Sequence, residues 1–212
     1  MSKELAPFQF SIDQCERELS EFGALLDSKE ELSEQDDLLP FFRARPHLAA
    51  FAASWNLHIV EIDHFAFELD LFGNFRCDWA AGHAQSGEFV LVEIEDARRH
   101  SVFGGGNKYH DEWGRRFEHG YSQLVDWFWI LDMYRDNIDF RKRFGGTLHS
   151  FSGLLLIGRS KHLDDTMRER LHWRMQRVSI NSNKVICMTF DDLRERMETR
   201  IGLLCDLARS TD

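Results

Sequence analysis

The sequence predicts an α/β domain with a mixed central sheet flanked by helices, plus a helical N-terminal extension, and three observations carry that prediction. Apolar residues near the N-terminus recur every three or four positions, as on an amphipathic helix. In Phe65–Leu71 they alternate with polar residues, and in Phe89–Glu95 they fill both faces, as in a half-buried strand and a central one. Strand and helix patterns then alternate to the C-terminus, an order that builds a mixed sheet. At 212 residues and 43% hydrophobic content the chain is long enough for one buried core and short for two. The extension is placed at residues 1–56 and the α/β domain at 57–212.

The elements follow in order. Ser11–Leu26 reads as a helix: Ser11 and Gln14 make a capping-box spacing, and Ile12, Cys15, Leu19, Phe22 and Leu26 form one face. Asp37–Trp55 reads as two short helices, with Pro46 suited to the first turn of the second. Phe65–Leu71 is a strand, Gly73-Asn74 a turn, and Phe75–Ala80 a second strand. A turn at Gly82–Gly87 leads into the central strand Phe89–Glu95. The stretch Arg98–Trp113, with Gly104-Gly105-Gly106 at its middle, predicts a loop of the kind that serves a ligand. Helical periodicity returns over Trp113–Asn137, Gly145-Gly146 breaks the chain, and Gly153–Gly158 is a strand. A basic helix over Asp164–Arg177, a strand Lys184–Thr189 and a last helix through Leu193, Met197, Ile201 and Leu204 complete the chain.

Composition narrows the function classes. Met1–Phe10 lacks the basic start and apolar run of a signal peptide, and no stretch approaches the roughly 18 apolar residues of a membrane helix. A soluble cytoplasmic protein with no membrane partner is expected. Cys15, Cys77, Cys187 and Cys205 lack paired spacing, which argues against a disulfide framework or a zinc knuckle. The net charge of −10 argues against a phosphate partner until its distribution is considered. Met1–Asp37 holds 3 basic and 11 acidic residues and Glu61–Asp96 holds 1 and 9, whereas Arg135–Arg177 holds 10 and 5. A basic surface is therefore possible locally, although ordinary solvated helix charges explain the same arginines.

The chemistry concentrates on three carboxylates. Glu93 and Glu95 are two apart on a strand and project from one face, together with Phe89 and Leu91. Side-by-side carboxylates at the end of a buried strand must neutralise or find a cation. Asp78, on the preceding strand, reaches them through an antiparallel pairing. Three carboxylates suit Mg²⁺ or Mn²⁺, which prefer oxygen ligands; a solvated sheet rim that binds nothing is the bland alternative.

Asp78, Glu93-Ile94-Glu95 and Gln123 fall in the order of the PD-(D/E)XK nuclease pattern: an aspartate, a strand with Glu-x-Lys, then a helix bearing glutamine. The run Glu34–Phe51 with Asp37-Leu38-Leu39-Pro40-Phe41-Phe42 resembles the helical lead-in of the Shedu anti-phage nuclease domain. Phe89–Phe103 and His119-Gly-Tyr-Ser-Gln123-Leu-Val-Asp126-Trp127 also resemble that family, and the likeness covers about Glu34–Phe190. It implies a restriction-endonuclease-like core over 57–212 and a metal-dependent DNA endonuclease in anti-phage defence. Asp78, Glu93 and Glu95 would be catalytic metal ligands, Gln123 a fourth catalytic residue, and the protein a homo-oligomer, plausibly a tetramer. Glu95 stands where the pattern has lysine. Some restriction enzymes of the superfamily use glutamate there, so the departure leaves either an active site with a second metal or a copy that has lost its chemistry.

Arg98, Arg99 and Lys108, in or beside the glycine-rich loop, are candidate phosphate contacts. His119 lies four residues before Gln123 and shares its helical face, so it is a candidate for phosphate contact or proton transfer, or an ordinary interfacial histidine. His100, His110 and His119 lack compact zinc spacing. Two rivals remain: a catalytically impaired nuclease-fold module that binds nucleic acid, and an oligomeric scaffold.

Overall fold

A computed structural model of the chain describes residues 4–53, 59, 61–106, 109–135, 137–144, 150–180 and 183–209. Its centre is a seven-stranded sheet of β1 (Ala6–Pro7), β2 (His64–Phe67), β3 (Trp79–His83), β4 (Glu88–Ile94), β5 (Ser150–Leu156), β6 (Ser179–Ile180) and β7 (Asn183–Met188), in the order β1-β2-β3-β4-β5-β7-β6. β1 to β4 pair antiparallel. β4, β5 and β7 pair parallel, and β6 closes the far edge antiparallel. Parallel neighbours need crossovers, which are supplied by α4 (Arg115–Tyr134) with the short α5 (Ile138–Arg143), and by α6 (Asp165–Arg177).

The helices divide the core. One sheet face, with Phe65, Phe67, Trp79, Val90, Val92 and Leu154, is covered by α1 (Ile12–Ser28), α2 (Leu39–Arg43), α3 (Pro46–Ala53) and α7 (Phe190–Arg209). The other face, with Ala80, Phe89, Leu91 and Leu155, lies under α4 to α6. α1 forms as its pattern predicts: the Ser11 hydroxyl accepts the Gln14 N–H at 3.3 Å, and Cys15, Leu19, Phe22 and Leu26 are buried. α6 starts at Asp164, whose carboxylate accepts the Met167 N–H at 2.8 Å. Among the described residues no helix is long and apolar enough to cross a membrane.

The sheet departs from the predicted strand limits in three places. Phe65–Leu71 is not one strand: Glu68 adopts φ 50°, which ends β2, and Asp70–Leu71 turns away to pair with Phe75–Arg76 in a small ribbon. β3 accordingly starts at Trp79 and runs on through Gly82, which the sequence reads as turn. A Cβ at Gly82 would lie 2.2 Å from the Glu88 carbonyl oxygen, so glycine there serves close strand approach. Inside the predicted loop Arg98–Trp113, Phe103–Gly104 pairs with Glu112–Trp113, held by stacking of Phe103 on Trp113 at 4.5 Å. Residue 108 and the Gly145-Gly146 break lie outside the described residues.

Candidate functional site

β4 carries Glu93 to the sheet face that α4 covers, and Glu95 follows just past the strand end, where its N–H donates to the Leu156 carbonyl at 2.9 Å. The β3–β4 register pairs Trp79 with Val92, which sets Asp78 beside Glu93. Asp78 is fastened from both ends: its N–H donates to the Val92 carbonyl at 3.1 Å, and its Oδ2 accepts the Ile94 N–H at 2.8 Å. The three predicted carboxylates are thus brought to one end of the sheet.

Their electrostatics differ. Burial pushes the Glu93 carboxyl far above the usual carboxylate range, and the carboxyls of Asp78, Glu95 and Glu34 push it further. Asp78 is raised mainly by burial, against the pull of the Ile94 N–H, and Glu34 and Glu95 add to the rise. Neighbouring carboxyls in a sparingly solvated pocket disfavour joint ionisation, and Asp78 raises Glu93 in this way. Glu95 is also raised by burial, at 1% exposure, but His119 Nδ1 sits 2.7 Å from its Oε1 and the Arg116 guanidinium donates to its Oε2 at 3.2 Å.

Arg116, Glu34 and Asp96 belong to this site although the sequence reading assigned them no role. Arg116 bridges three carboxylates, with Glu34 at 3.3 Å, Glu95 at 3.2 Å and Asp96 at 3.4 Å. Glu34 opens a π-helical turn (Glu34–Leu38), and its backbone N–H donates to Asp96 Oδ1 at 2.8 Å. α4 comes close enough for this contact because of Gly120, where a Cβ would stand 2.6 Å from Leu155 Cδ1 and 3.1 Å from Glu95 Cγ.

Gln123 lies one turn beyond Gly120 on α4, and its side-chain oxygen is buried with no partner. Leu124, next to it, packs toward Gly153 of β5, the partner of Leu91 two residues before Glu93. The predicted phosphate contacts are dispersed. Arg98 lies 3.7 Å from Asp96, Arg99 is exposed with its backbone N–H on Glu31, and Lys108 lies outside the described residues.

A hard divalent cation finds a partial match here. The donors are all oxygen, Asp78 and Glu93 carry an unbalanced charge when ionised, and the Gln123 oxygen awaits a partner. Yet among the described residues no three histidine, cysteine or carboxylate side chains are gathered as a metal site. Glu95 is the one turned elsewhere, held by Arg116 and His119. The residues thus fit a two-carboxylate ion site that a substrate oxygen or water would complete, as Mg²⁺ commonly accepts.

No curated protein matches the chain. A family model described as Shedu protein SduA, C-terminal, matches residues 31–194, a span that runs from the Glu34 turn through the acidic pocket to the start of α7. On that match the chain belongs to the Shedu SduA C-terminal family.

Proposed function

We propose that the protein is a metal-dependent DNA endonuclease with a PD-(D/E)XK core, acting in anti-phage defence. The observation that carries this reading is the Asp78–Glu93 pair, a half-buried and a buried carboxyl set side by side by the β3–β4 register, which a cation would relieve. Asp78 and Glu93 would hold Mg²⁺ or Mn²⁺, with Gln123 beside them. When bound, the ion supplies Lewis-acid stabilisation of charge on the phosphoryl oxygens.

The chain's own groups supply the rest. Glu95 stands in the lysine position but holds two cationic or protonatable groups against itself, so the positive charge expected from lysine comes from Arg116. Arg116 is half exposed, and its remaining N–H donors can meet a non-bridging phosphate oxygen. His119 donates Nδ1–H to Glu95, which leaves Nε2 on the exposed side of the ring to accept a proton from an attacking water or, once protonated, to deliver one to the leaving oxygen. Arg98 and Arg99 extend the cationic rim toward flanking phosphates. Exposed Trp129 and Met133 on α4 supply an apolar stripe for a homo-oligomer, plausibly a tetramer.

The test is cleavage of supercoiled and linear DNA with Mg²⁺ or Mn²⁺, comparing wild type with Glu93→Ala and Arg116→Ala. Metal-dependent nicking that is lost in Glu93→Ala and falls roughly a hundredfold in Arg116→Ala is the expected result. If the wild type cleaves neither form with either metal, the second reading takes over: a nuclease-fold module that binds nucleic acid without cutting it. The ion pairs that occupy Glu95 favour that second reading.

A further inference from the structure

On the side of α4 away from Glu95, a groove of about 630 Å³ opens between the Trp113 ribbon and α6, with Arg170, Trp173 and Arg174 on its wall. That volume is in the range that takes a nucleotide-sized ligand. Trp113 in its lining belongs to a stack that runs into the core: it lies between Phe103 at 4.5 Å and Phe117 at 4.6 Å, and Tyr121 continues from Phe117 at 5.9 Å. Arg174 sits over this stack, 4.3 Å from the Tyr121 centroid, and is neutralised by Glu118 at 2.7 Å. The stack and its arginine are therefore a rigid, already satisfied base.

What the groove presents outward is different. Trp173 is 62% exposed although it is the largest apolar side chain on α6. Arg170 precedes it by three residues and Arg177 follows it by four, so both leave α6 on the same side as Trp173, Arg170 with its guanidinium 4.8 Å from the Phe103 centroid and 5.3 Å from that of Trp113. Among the described residues no carboxylate pairs with Arg168, Arg170 or Arg177; Arg168 donates to the Ser160 carbonyl, and Arg170 donates to the Asp111 carbonyl while lying over the rings of Phe103 and Trp113. A chain of net charge −10 thus keeps Arg170 and Arg177 clear of carboxylate partners on the helix that bears an exposed indole, with Glu169 as the one carboxylate on that wall. Exposed aromatic faces between free cations match the stacked bases and spaced phosphates of a single strand; a peptide would call for a deeper apolar slot and fewer cations.

We propose that this groove binds unpaired DNA, with one base stacked on Trp173 and the neighbouring phosphates on Arg170 and Arg177. The proposal rests on the nuclease reading for its choice of DNA, and it gives that reading a substrate class: DNA with a single-stranded segment, such as a frayed or resected end. α4 links the two sites, because Glu118 holds Arg174 while the next residue, His119, holds Glu95.

The experiment is fluorescence anisotropy of a labelled 12-nucleotide single strand and of the blunt duplex of the same sequence, in EDTA, for wild type, Trp173→Ala, Trp173→Phe and Glu93→Ala. Tighter binding of the single strand than the duplex, weakened roughly tenfold or more in Trp173→Ala and largely kept in Trp173→Phe and Glu93→Ala, is the expected result. Equal single-strand binding by wild type and Trp173→Ala, or a preference for the duplex, would overturn the proposal. Because binding is read without metal, the two readings separate: Trp173-dependent binding in a protein that never cuts sinks only the nuclease, and cutting with no Trp173 effect sinks only the groove.

Discussion

Glu93 sits in a pocket that penalises its charge, and that penalty has a sign. A carboxyl whose pKa in the fold stands above its unfolded value keeps a proton that the unfolded chain has lost. Stability is then fullest below the unfolded pKa and falls as pH rises through the folded one. Both carboxyls of the pair are raised, Asp78 from 3.8 to about 7 and Glu93 from 4.5 to about 10, so the metal-free protein is expected to lose stability as pH rises from about 4 through those raised values. Thermal melts across that range check this, and Mg²⁺ or Mn²⁺ at millimolar concentration should flatten the slope. Glu93→Gln removes the charge and keeps the shape; it is expected to stabilise the metal-free protein by about 1–3 kcal/mol at pH 8 and to abolish the metal effect. A melting temperature indifferent to both pH and metal would count against the pair as an ion site. The carboxylates themselves were legible in the sequence, because a two-residue strand period fixes which side chains share a face. Arg116 and Glu34 were not, since their contact spans 82 residues and no local pattern announces it.

The elements are tied together by polar groups as well as by the apolar core. Arg159, 4% exposed, follows β5 and donates to Asp191 at the start of α7 at 2.8–3.0 Å, and to the carbonyls of Leu26 and Lys29 at the end of α1, both at 3.0 Å. It satisfies the carbonyls that α1 leaves open and joins three elements in one side chain. Burial alone would raise the Asp191 carboxyl, but Arg159 and the Ser160 N–H hold it below its ordinary value. Arg159→Ala leaves that carboxylate without its partner and is expected to cost about 3–5 kcal/mol in chemical denaturation. The same change tests whether α1 and α7 melt as one unit, since a single transition that splits into two would show otherwise. Strand limits were the weaker part of the sequence reading. A left-handed residue at Glu68 and a glycine used for close approach at Gly82 both mimic or hide turns, and only tertiary pairing distinguishes them.

For the whole molecule, the face of the sheet lined by Trp79, Val90 and Val92 has α1 to α3 as much of its cover, with Phe22, Phe42 and Phe51 packed into the same core. A chain reduced to residues 57–212 would expose that face to water and is expected to aggregate or stay unfolded, as judged by circular dichroism and size-exclusion chromatography. A folded, monodisperse fragment would show instead that the extension is dispensable. If DNA is the substrate, as proposed, the basic residues of Arg135–Arg177 are expected to make its affinity fall steeply with salt despite the negative net charge.

The parallel pairing of β4 with β5 has a consequence for synthesis. β4 ends at Ile94, while its partner β5 begins at Ser150, and β7 follows only at Asn183. A nascent chain still on the ribosome therefore carries Asp78, Glu93 and Glu95 for some time on a strand with one edge open, before the neighbour that accepts Glu95's N–H exists. On the nuclease reading, the acidic pocket therefore stays unfinished, and without cutting activity, until Ser150–Leu156 has been made and has paired with β4.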